Sequence, residues 1–422
     1  MKQKKWIFYG LYIILYTGVI AQYFIKSPVM NILADFFIIP SGIAIMWKRN
    51  LKFPYVGHGY LILMSLILLA GILGTILNGE NTPVAFLWTL RMIIRYPLVF
   101  VTILATFSKK DIRKTKQILC MCLIINFGVE LIERFVFGIK GGDFLGGTFG
   151  GNGGLAVLII LGLTFFSADY FRNELSGSKY LFVIVGCFML ALISEIKLLY
   201  FLIPLIVYGC YVFQKKFSMW HIATLVIGLL VAVPVLSSVL SLYYDEDYVT
   251  KTLNADELEQ YNTNSYGFME GGFNRGTAIE LTNKVMLTDT KLKLFGYGLG
   301  SGTLAEWTGA TLSKRFFHTT FFYFFNSYVL AELGWVGYLA YVGIFVLLTI
   351  NFWRYYSRYH DKVIRKWAGL GLMSCLLTFL MMYYNSTPYT NHYLFTIFYA
   401  ICFKAIIIRI DELGGKRTLR KR

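Results

Sequence analysis

Two arginines stand four residues apart inside a long apolar run. The stretch reads FLWTLRMIIRYPLVF and places them at positions 91 and 95. In a helix, residues i and i+4 lie on one face, so the two guanidinium groups would be neighbours that repel each other. Arg91 and Arg95 therefore indicate one of two chemistries. They bind an anionic ligand, or they pair with acidic side chains of neighbouring helices.

Other charged residues interrupt other apolar runs. The stretch NFGVELIERFVFG contains Glu130, Glu133 and Arg134, and Asp35 lies in an earlier run. Charges inside a membrane span are costly and mark either function or a partner. We expect all four residues in the outer halves of their spans.

A short polar stretch, ISEIK, separates two further apolar segments and carries Glu195 and Lys197. Residues 180–194 as a helix rise only about 22 Å. The hairpin tip is therefore expected to stop below the outer surface and to form the floor of a cavity.

The simplest hypothesis is a polar pit that opens to the outside and holds an anion. Its expected lining is four cationic side chains: Arg91, Arg95, Arg134 and Lys197. The alternative is that Arg91 and Arg95 only hold helices together, by pairing with one or more of Glu130, Glu133 and Asp35.

Residues 141–156 read GGDFLGGTFGGNGGLA, and half of them are glycine. Successive backbone N–H groups in such a loop can form an anion-binding nest, and glycine allows a substrate to approach the backbone. Gly147, Gly150 and Asn152 are the candidate contacts at the rim of the pit. The alternative is a flexible connector. No strand–turn–helix unit surrounds the stretch, so it is not a nucleotide fingerprint.

The segment 243–320 is too long for a plain connector and is expected to be a large outer loop. It contains Arg275 at the start of NRGTAIELTNKVMLTD, which is expected to form a short helix against the outer mouth of the bundle. LFGYGLGSG is expected to form a glycine-rich turn, and His318 stands where the chain re-enters the membrane. Asn326 and Glu332 follow and are expected to hold helices together, and Asn326 is also a candidate substrate contact. The chain has no HExxH, no paired DxD and no His/Cys cluster, so a metal site is unsupported.

The elements that must position these residues are transmembrane helices. The chain has 422 residues, of which 57% are hydrophobic and 15% charged, whereas soluble proteins have about 25% charged residues. Continuous apolar runs of about 18 residues or more recur along it and favour helices over a barrel. We predict one integral membrane domain, 1–422, with about twelve spans: 6–25, 29–47, 57–77, 84–106, 115–137, 152–170, 180–194, 197–213, 219–242, 321–350, 366–384 and 391–409.

The net charge of +17 would suggest nucleic acid in a soluble protein. Here the lysines and arginines concentrate in alternate connections, as the positive-inside rule predicts for a membrane protein. This distribution places both termini in the cytoplasm and the 243–320 loop outside, between the ninth and tenth helices. We therefore expect the lipid bilayer, and no nucleic acid, as a partner.

Several stretches, taken in order, resemble one family. GGTFGGNGGLA, the SEIK hairpin, NRG followed by LFGYGLGSG, and FNSYVLAELGWVG are similar in kind and order to the O-antigen polymerase and ligase superfamily, the Wzy-type polysaccharide polymerases and their ligase relatives. Each motif alone is weak, and the ordered set covers nearly the whole chain. The resemblance implies a membrane glycosyltransferase fold that uses lipid-linked donors.

The resemblance also implies a chemistry and roles for residues. Members transfer a glycan from a polyprenyl diphosphate to a sugar hydroxyl at the outer face of a bacterial plasma membrane, without a metal or other cofactor. Arg275 would be the diphosphate-binding arginine of the loop. Lys197 stands where the family often has arginine. Ligase relatives have a His-Asn-like motif where this chain reads Phe325-Asn326-Ser327, and this departure favours the polymerase.

The resulting expectation is a polymerase of polyprenyl-diphosphate-linked oligosaccharide repeats that makes capsule, exopolysaccharide or an O-antigen-like polymer. Glu195 and His318 are the candidate general bases, and a chain-length regulator is a candidate partner. A ligase that transfers a finished glycan, and a flippase of the lipid-linked oligosaccharide, are the alternatives.

Overall fold

The computed structural model describes residues 2–25, 30–48, 55–79, 81–139, 145–214 and 272–419, with six isolated positions between 223 and 259. All regular secondary structure in these residues is helical. The long helices, numbered in chain order, are α1 (Lys2–Val19), α2 (Met30–Lys48), α3 (Tyr55–Asn78), α4 (Pro83–Thr106), α5 (Lys109–Leu131), α6 (Asn152–Phe171), α7 (Gly177–Ile193), α8 (Lys197–Gln214), α9 (Phe325–Arg358), α10 (Lys362–Tyr384) and α11 (Tyr393–Leu419).

Seven helical segments of the described chain are long and apolar enough to cross a membrane. They are His58–Asn78, Pro83–Thr106, Asn152–Phe171, Lys197–Gln214, Phe325–Arg358, Lys362–Tyr384 and Tyr393–Gly414. Two shorter apolar helices accompany them, Ile32–Trp47 and Gly177–Ile193. The prediction of a helical, multi-pass membrane protein is confirmed at this level. The number twelve stays a prediction, since the expected span 219–242 lies almost entirely outside the described residues.

Local sequence explains where several helices begin. The Thr82 side chain accepts a hydrogen bond from the N–H of Ala85. Pro83 is the first helical residue, a position where a backbone N–H would have no partner within the helix. Ser108 and Asp111 form a reciprocal capping box at the start of α5. The Asp361 side chain accepts from two backbone N–H groups at the start of α10. The connections before α5 and α10 are therefore short and sharply defined.

Ion pairs join the helix termini at one end of the bundle, which we call the basic end. Lys4 pairs with Asp111 at 3.1 Å, and Arg409 pairs with Asp361 at 2.8 Å. We call the opposite end, where the glycine-rich segments lie, the loop end. The sequence predicts that the basic end is cytoplasmic.

The stretch LFGYGLGSG packs between α3 and α9 at the loop end. The N–H of Tyr297 donates to the carbonyl of Ala331, and the N–H of Gly298 donates to that of Glu332. The Asn78 amide of α3 donates to the Gly296 carbonyl over 2.6 Å. Helix α9 is interrupted next to these contacts, at Gly334. The expected glycine-rich turn is present and is fixed against the helices.

The expected helical part of NRGTAIELTNKVMLTD is also present. It begins as a short α-helix, Ala278–Leu281, and continues as a π-helical turn, Thr282–Met286. The Trp335 indole N–H of α9 donates to Asn283 over 3.0 Å. This segment therefore lies against the bundle, as the sequence predicts. Most of the earlier part of the expected loop, 243–271, lies outside the described residues.

Candidate functional site

Arg91 and Arg95 share a face of α4, and both contact Asp35 of α2. The Arg91 Nη1 donates to Asp35 Oδ2 over 2.5 Å, and Arg95 Nη1 lies 3.4 Å from Asp35 Oδ1. The carboxyl group is 3% exposed, so solvent contributes little to its stabilisation. Of the three acids considered from the sequence, Asp35 is the one that contacts the arginines.

The arginine pair is only partly neutralised. Two guanidinium groups face one carboxylate, and the Arg95 Nε is buried without a hydrogen-bond partner among the described residues. Tyrosine faces compensate in part, because the Arg95 Cζ lies 4.1 Å from the ring centroid of Tyr393. Among the described residues, the ion pairs at this site therefore set two positive charges against one negative charge.

The two arginines differ in access. Arg95 is 6% exposed, whereas the Arg91 side chain keeps 18% of its surface exposed. The Arg91 Cζ lies 3.9 Å from the ring centroid of Trp88, and Trp88 packs edge to face on Trp307. Arg91 is therefore the group that a ligand would reach first, with Arg95 behind it.

The connection between α10 and α11 packs directly against this arginine pair. Arg95 Nη2 lies 3.4 Å from the Tyr96 hydroxyl, which accepts from the N–H of His392 over 3.1 Å. The Tyr393 hydroxyl donates to Asp35. We call residues 385–392, which read NSTPYTNH, the α10–α11 loop. Sequence reasoning missed its role, although a polar run between two apolar segments is a visible signal.

Arg275 reaches the start of the same loop. It is 7% exposed, and its Nε donates to the carbonyl of Tyr384 over 3.0 Å, with the Tyr384 ring 4.5 Å from its Cζ. The N–H of Phe273 pairs with the carbonyl of Thr319, next to His318. The α10–α11 loop therefore connects Arg275 with the Arg91 and Arg95 pair, and His318 lies close in space to the backbone that carries Arg275.

Glu332 of α9 holds the α10–α11 loop from the other side. Its Oε2 accepts from the Tyr389 hydroxyl over 2.7 Å, and its Oε1 accepts from the N–H of Gly302 over 2.9 Å. The side chains of Glu332 and Tyr389 are fully buried. The expectation that Glu332 holds elements together agrees with these contacts. Asn326 accepts from the Tyr338 hydroxyl of its own helix over 3.0 Å.

His392 is buried at the end of the α10–α11 loop. It is 3% exposed and packs between the rings of Tyr96 and Phe345. An imidazole enclosed by aromatic rings is suited to packing rather than to contact with a substrate.

A second polar group lies around Glu130 and Glu133. Ser194 Oγ, at the α7–α8 turn, donates to Glu130 Oε2 over 3.0 Å, and the N–H of Gly147 donates to Glu133 Oε2 over 2.9 Å. The glutamates are at most 1% exposed. The turn of the SEIK hairpin is thus packed against α5, with Ser194 itself fully buried.

The described part of the glycine-rich segment, 145–156, is held by contacts with α1 and α5. Asn126 of α5 bonds Thr148 through both its carbonyl and its amide, over 2.8 and 3.0 Å. At Gly18 of α1, a Cβ atom would lie 2.1 Å from the Phe149 carbonyl. One backbone N–H of the segment, that of Gly147, donates to Glu133 of the same protein.

The remaining candidates lie outside the arginine pair. Arg134 is exposed, and its Nη1 donates to the Ile139 carbonyl just beyond its own helix. Glu195 is partly exposed with a positive φ of 52° in the α7–α8 turn, and Lys197 begins α8 there.

Gly150 ends a short 3₁₀ turn, and Asn152 begins α6. His318 is exposed in the 3₁₀ turn Phe317–Thr319. Their shared contact with Asp35 groups Arg91 with Arg95, whereas Arg134 lies just after α5 and Lys197 begins α8.

The site holds no cluster of three or more histidine, cysteine, aspartate or glutamate side chains within the part of the chain that the structure describes. No family model matches the chain, and neither a curated protein nor a solved structure is significantly similar to it.

Proposed function

We propose that this chain is a glycosyltransferase that uses a polyprenyl-diphosphate-linked oligosaccharide and polymerises its repeat units at the outer face of a bacterial plasma membrane. The observation that carries the proposal is the arginine pair, in which Arg91 and Arg95 face a single carboxylate, Asp35. The ordered sequence motifs of the Wzy-type family support the same function. In this reading the chain spans the membrane about twelve times, with both termini in the cytoplasm.

The diphosphate is the leaving group of this reaction, and fixed cations would stabilise its developing charge. Guanidinium groups match phosphate geometry because each offers paired N–H donors in one plane. Arg91, the more exposed of the pair, would contact the diphosphate first. An incoming anion would compete with Asp35 for the two arginines, so the carboxylate acts as a placeholder when no donor is bound.

The transfer itself forms one bond and breaks one. The oxygen of the acceptor sugar hydroxyl bonds to the anomeric carbon of the donor, and the bond from that carbon to the diphosphate oxygen breaks. The hydroxyl proton passes to a general base, and the electron pair leaves with the diphosphate. His318 and Glu195 are the candidate bases. His318 is favoured because the carbonyl of the next residue, Thr319, accepts a hydrogen bond from the N–H of Phe273, two residues before Arg275.

Arg275 would act from the outer side of the α10–α11 loop. It bonds the Tyr384 carbonyl, at the point where α10 ends. A donor bound at the arginine pair would therefore lie against a loop that Arg275 and Glu332 both hold. We propose that this loop forms one wall of the donor site.

The test is a polymerisation assay with purified protein in detergent and a synthetic polyprenyl-diphosphate oligosaccharide repeat, in the presence of EDTA. Arg91→Lys and Arg95→Lys keep the charge and remove the planar donors, and Lys293→Ala removes an exposed cation at the same end of the bundle as a control. The expected result is a product ladder from wild type and Lys293→Ala that is reduced by about 100-fold in each arginine variant, the typical effect of losing an electrostatic contact to the reacting group.

Three results would contradict the proposal. Equal ladders from wild type and the arginine variants would show that these arginines do not take part in the reaction. Transbilayer movement of the same lipid in proteoliposomes, with no polymer formed, would replace the polymerase with the flippase. Transfer of a preformed glycan to a separate acceptor, again without a ladder, would indicate the ligase.

A further inference from the structure

A cavity of about 230 Å³ opens at the basic end of the bundle, and none of its lining residues belongs to the arginine pair. Three of its lining residues are cations of α5, namely Lys109, Arg113 and Lys116. Their spacing of i, i+4 and i+7 places them on one face of the helix. Lys366 of α10 and Arg409 of α11 line the cavity from the other helices. Five cations thus converge on one space from three helices.

Acidic groups neutralise the inner part of this cavity. Lys366 pairs with Asp169 at 2.9 Å and with Glu174 at 2.5 Å, and Lys116 also contacts Asp169. Arg409 pairs with two acids, Asp361 and Glu412. These contacts hold the inner cations in place.

The mouth of the cavity is less neutralised. Lys109 reaches Glu412 only at 3.5 Å, with its side chain 70% exposed. Within the described part of the chain, Arg113 is exposed and makes no hydrogen bond or ion pair. Among the described residues, the five lining cations and Arg172, which pairs with Glu174, make six positive charges. Their acidic partners are four: Asp169, Glu174, Asp361 and Glu412. The surplus charge lies at the mouth, where a ligand would enter.

The rest of the wall is apolar. The apolar lining residues are Ile112 of α5, Val363 and Trp367 of α10, and Ala405 and Ile408 of α11. A cavity with cations at its mouth and apolar walls suits a molecule that joins a negative group to hydrocarbon. It suits a fully hydrated small anion less well, since that anion would lose water against the apolar side.

We propose that this cavity binds the phosphate group of an anionic phospholipid from the leaflet at the basic end, with Arg113 as a direct contact. Basic pockets between transmembrane helices are a recurring way of holding such head groups. The site is separate from the arginine pair, and the proposal does not depend on the proposed glycosyl transfer.

The test compares two charge reversals on the same helix. Arg113→Glu changes a cavity residue, and Lys110→Glu changes an exposed neighbour that does not line the cavity. Both change the net charge by the same amount, so general attraction to anionic lipid weakens equally. Delipidated protein in a zwitterionic detergent is titrated with dioleoylphosphatidylglycerol or dioleoylphosphatidylcholine, and the thermal unfolding temperature is followed.

We expect phosphatidylglycerol, and not phosphatidylcholine, to raise the unfolding temperature of wild type and of Lys110→Glu at similar lipid concentrations. Arg113→Glu should need at least about tenfold more lipid, because this variant loses the direct charged hydrogen bond to the phosphate and places a carboxylate there. Arg113→Gln serves as a milder second variant and should give an intermediate shift.

Three outcomes would overturn the proposal. Equal weakening in Arg113→Glu and Lys110→Glu would assign the effect to overall charge. An equal response to phosphatidylcholine would remove the need for an anionic head group. A response to inorganic phosphate at least as strong as the response to phosphatidylglycerol, in a parallel titration, would show a free-anion site and reject the lipid.

Discussion

The backbone N–H of Gly147 donates a hydrogen bond to Oε2 of Glu133 over 2.9 Å, inside the protein. Gly147 has a φ of +53°, a conformation that favours glycine. The glycine-rich segment therefore acts as an internal partner for a buried carboxyl group. A membrane protein needs such partners, because an unpaired polar group in its interior is costly.

Gly147→Ala should be strongly destabilising. A Cβ atom there would lie 2.0 Å from Asn126 Oδ1, and the positive φ adds about 1 kcal/mol or more of strain. We expect a loss of about 2–4 kcal/mol, measured as a lower unfolding temperature or faster thermal inactivation in detergent. Gly128→Ala is the matched control, since Gly128 is exposed in α5 with open space around its Cα. A similar loss in both variants would contradict this account.

Asp35→Asn should destabilise the protein when no ligand is present. Removing one partner of a buried ion pair costs about 3 kcal/mol or more, because the remaining charges stay buried. Added pyrophosphate should then raise the unfolding temperature of Asp35→Asn more than that of wild type, since an anion replaces the missing carboxylate. Asp289→Asn, at an exposed helix cap, is the control. No added response to pyrophosphate in Asp35→Asn would argue against an anion site at the arginines.

Tyr389→Phe should weaken the attachment of the α10–α11 loop. The change leaves Glu332 Oε2 without its donor in a fully buried place, which costs about 1–3 kcal/mol. Tyr383→Phe, at a half-exposed tyrosine of α10, should be near neutral. A double-mutant cycle with Glu332→Leu, which removes the acceptor, measures the coupling. Additive effects of the two changes would show that the hydrogen bond contributes little.

The ion pair of Asp361 with Arg409 should make stability depend on pH at the basic end. The hydrogen bond from Arg409 holds the pKa of Asp361 below its ordinary value. Its contribution is therefore present above the unfolded pKa of about 3.9 and is lost as the pH falls through the lower folded pKa. Wild type should lose more stability between pH 5 and pH 3 than Asp361→Asn, which keeps a capping side chain but cannot titrate. Parallel pH profiles would contradict the assignment.

Some relationships in the site follow directly from spacing in the chain. Arg91 and Arg95 share a face because a helix returns to the same side every 3.6 residues. The same rule applies to Lys109 and Arg113. Spacing also indicates that the arginines need an anion nearby, and Asp35 was one of the three acids proposed for that role.

Other relationships needed packing information. The choice of Asp35 over Glu130 and Glu133 depends on which helices are neighbours, and periodicity within one helix says nothing about that. The α10–α11 loop shows the same limit. Its polar residues indicate a connection, but the contact of Tyr389 with Glu332 joins positions 57 residues apart, and that of His392 with Tyr96 joins positions 296 apart.

The helical membrane class, the uneven distribution of cations and the faces of individual helices are properties of short windows of sequence. Hydropathy and helix period act locally, so these features can be derived without knowing the fold. The partner of each buried charge is different, because it depends on the distance between segments remote in the chain. Glu133 illustrates the division: its burial was expected from the apolar run around it, whereas Gly147 became its donor only because α5 and the glycine-rich segment fold together.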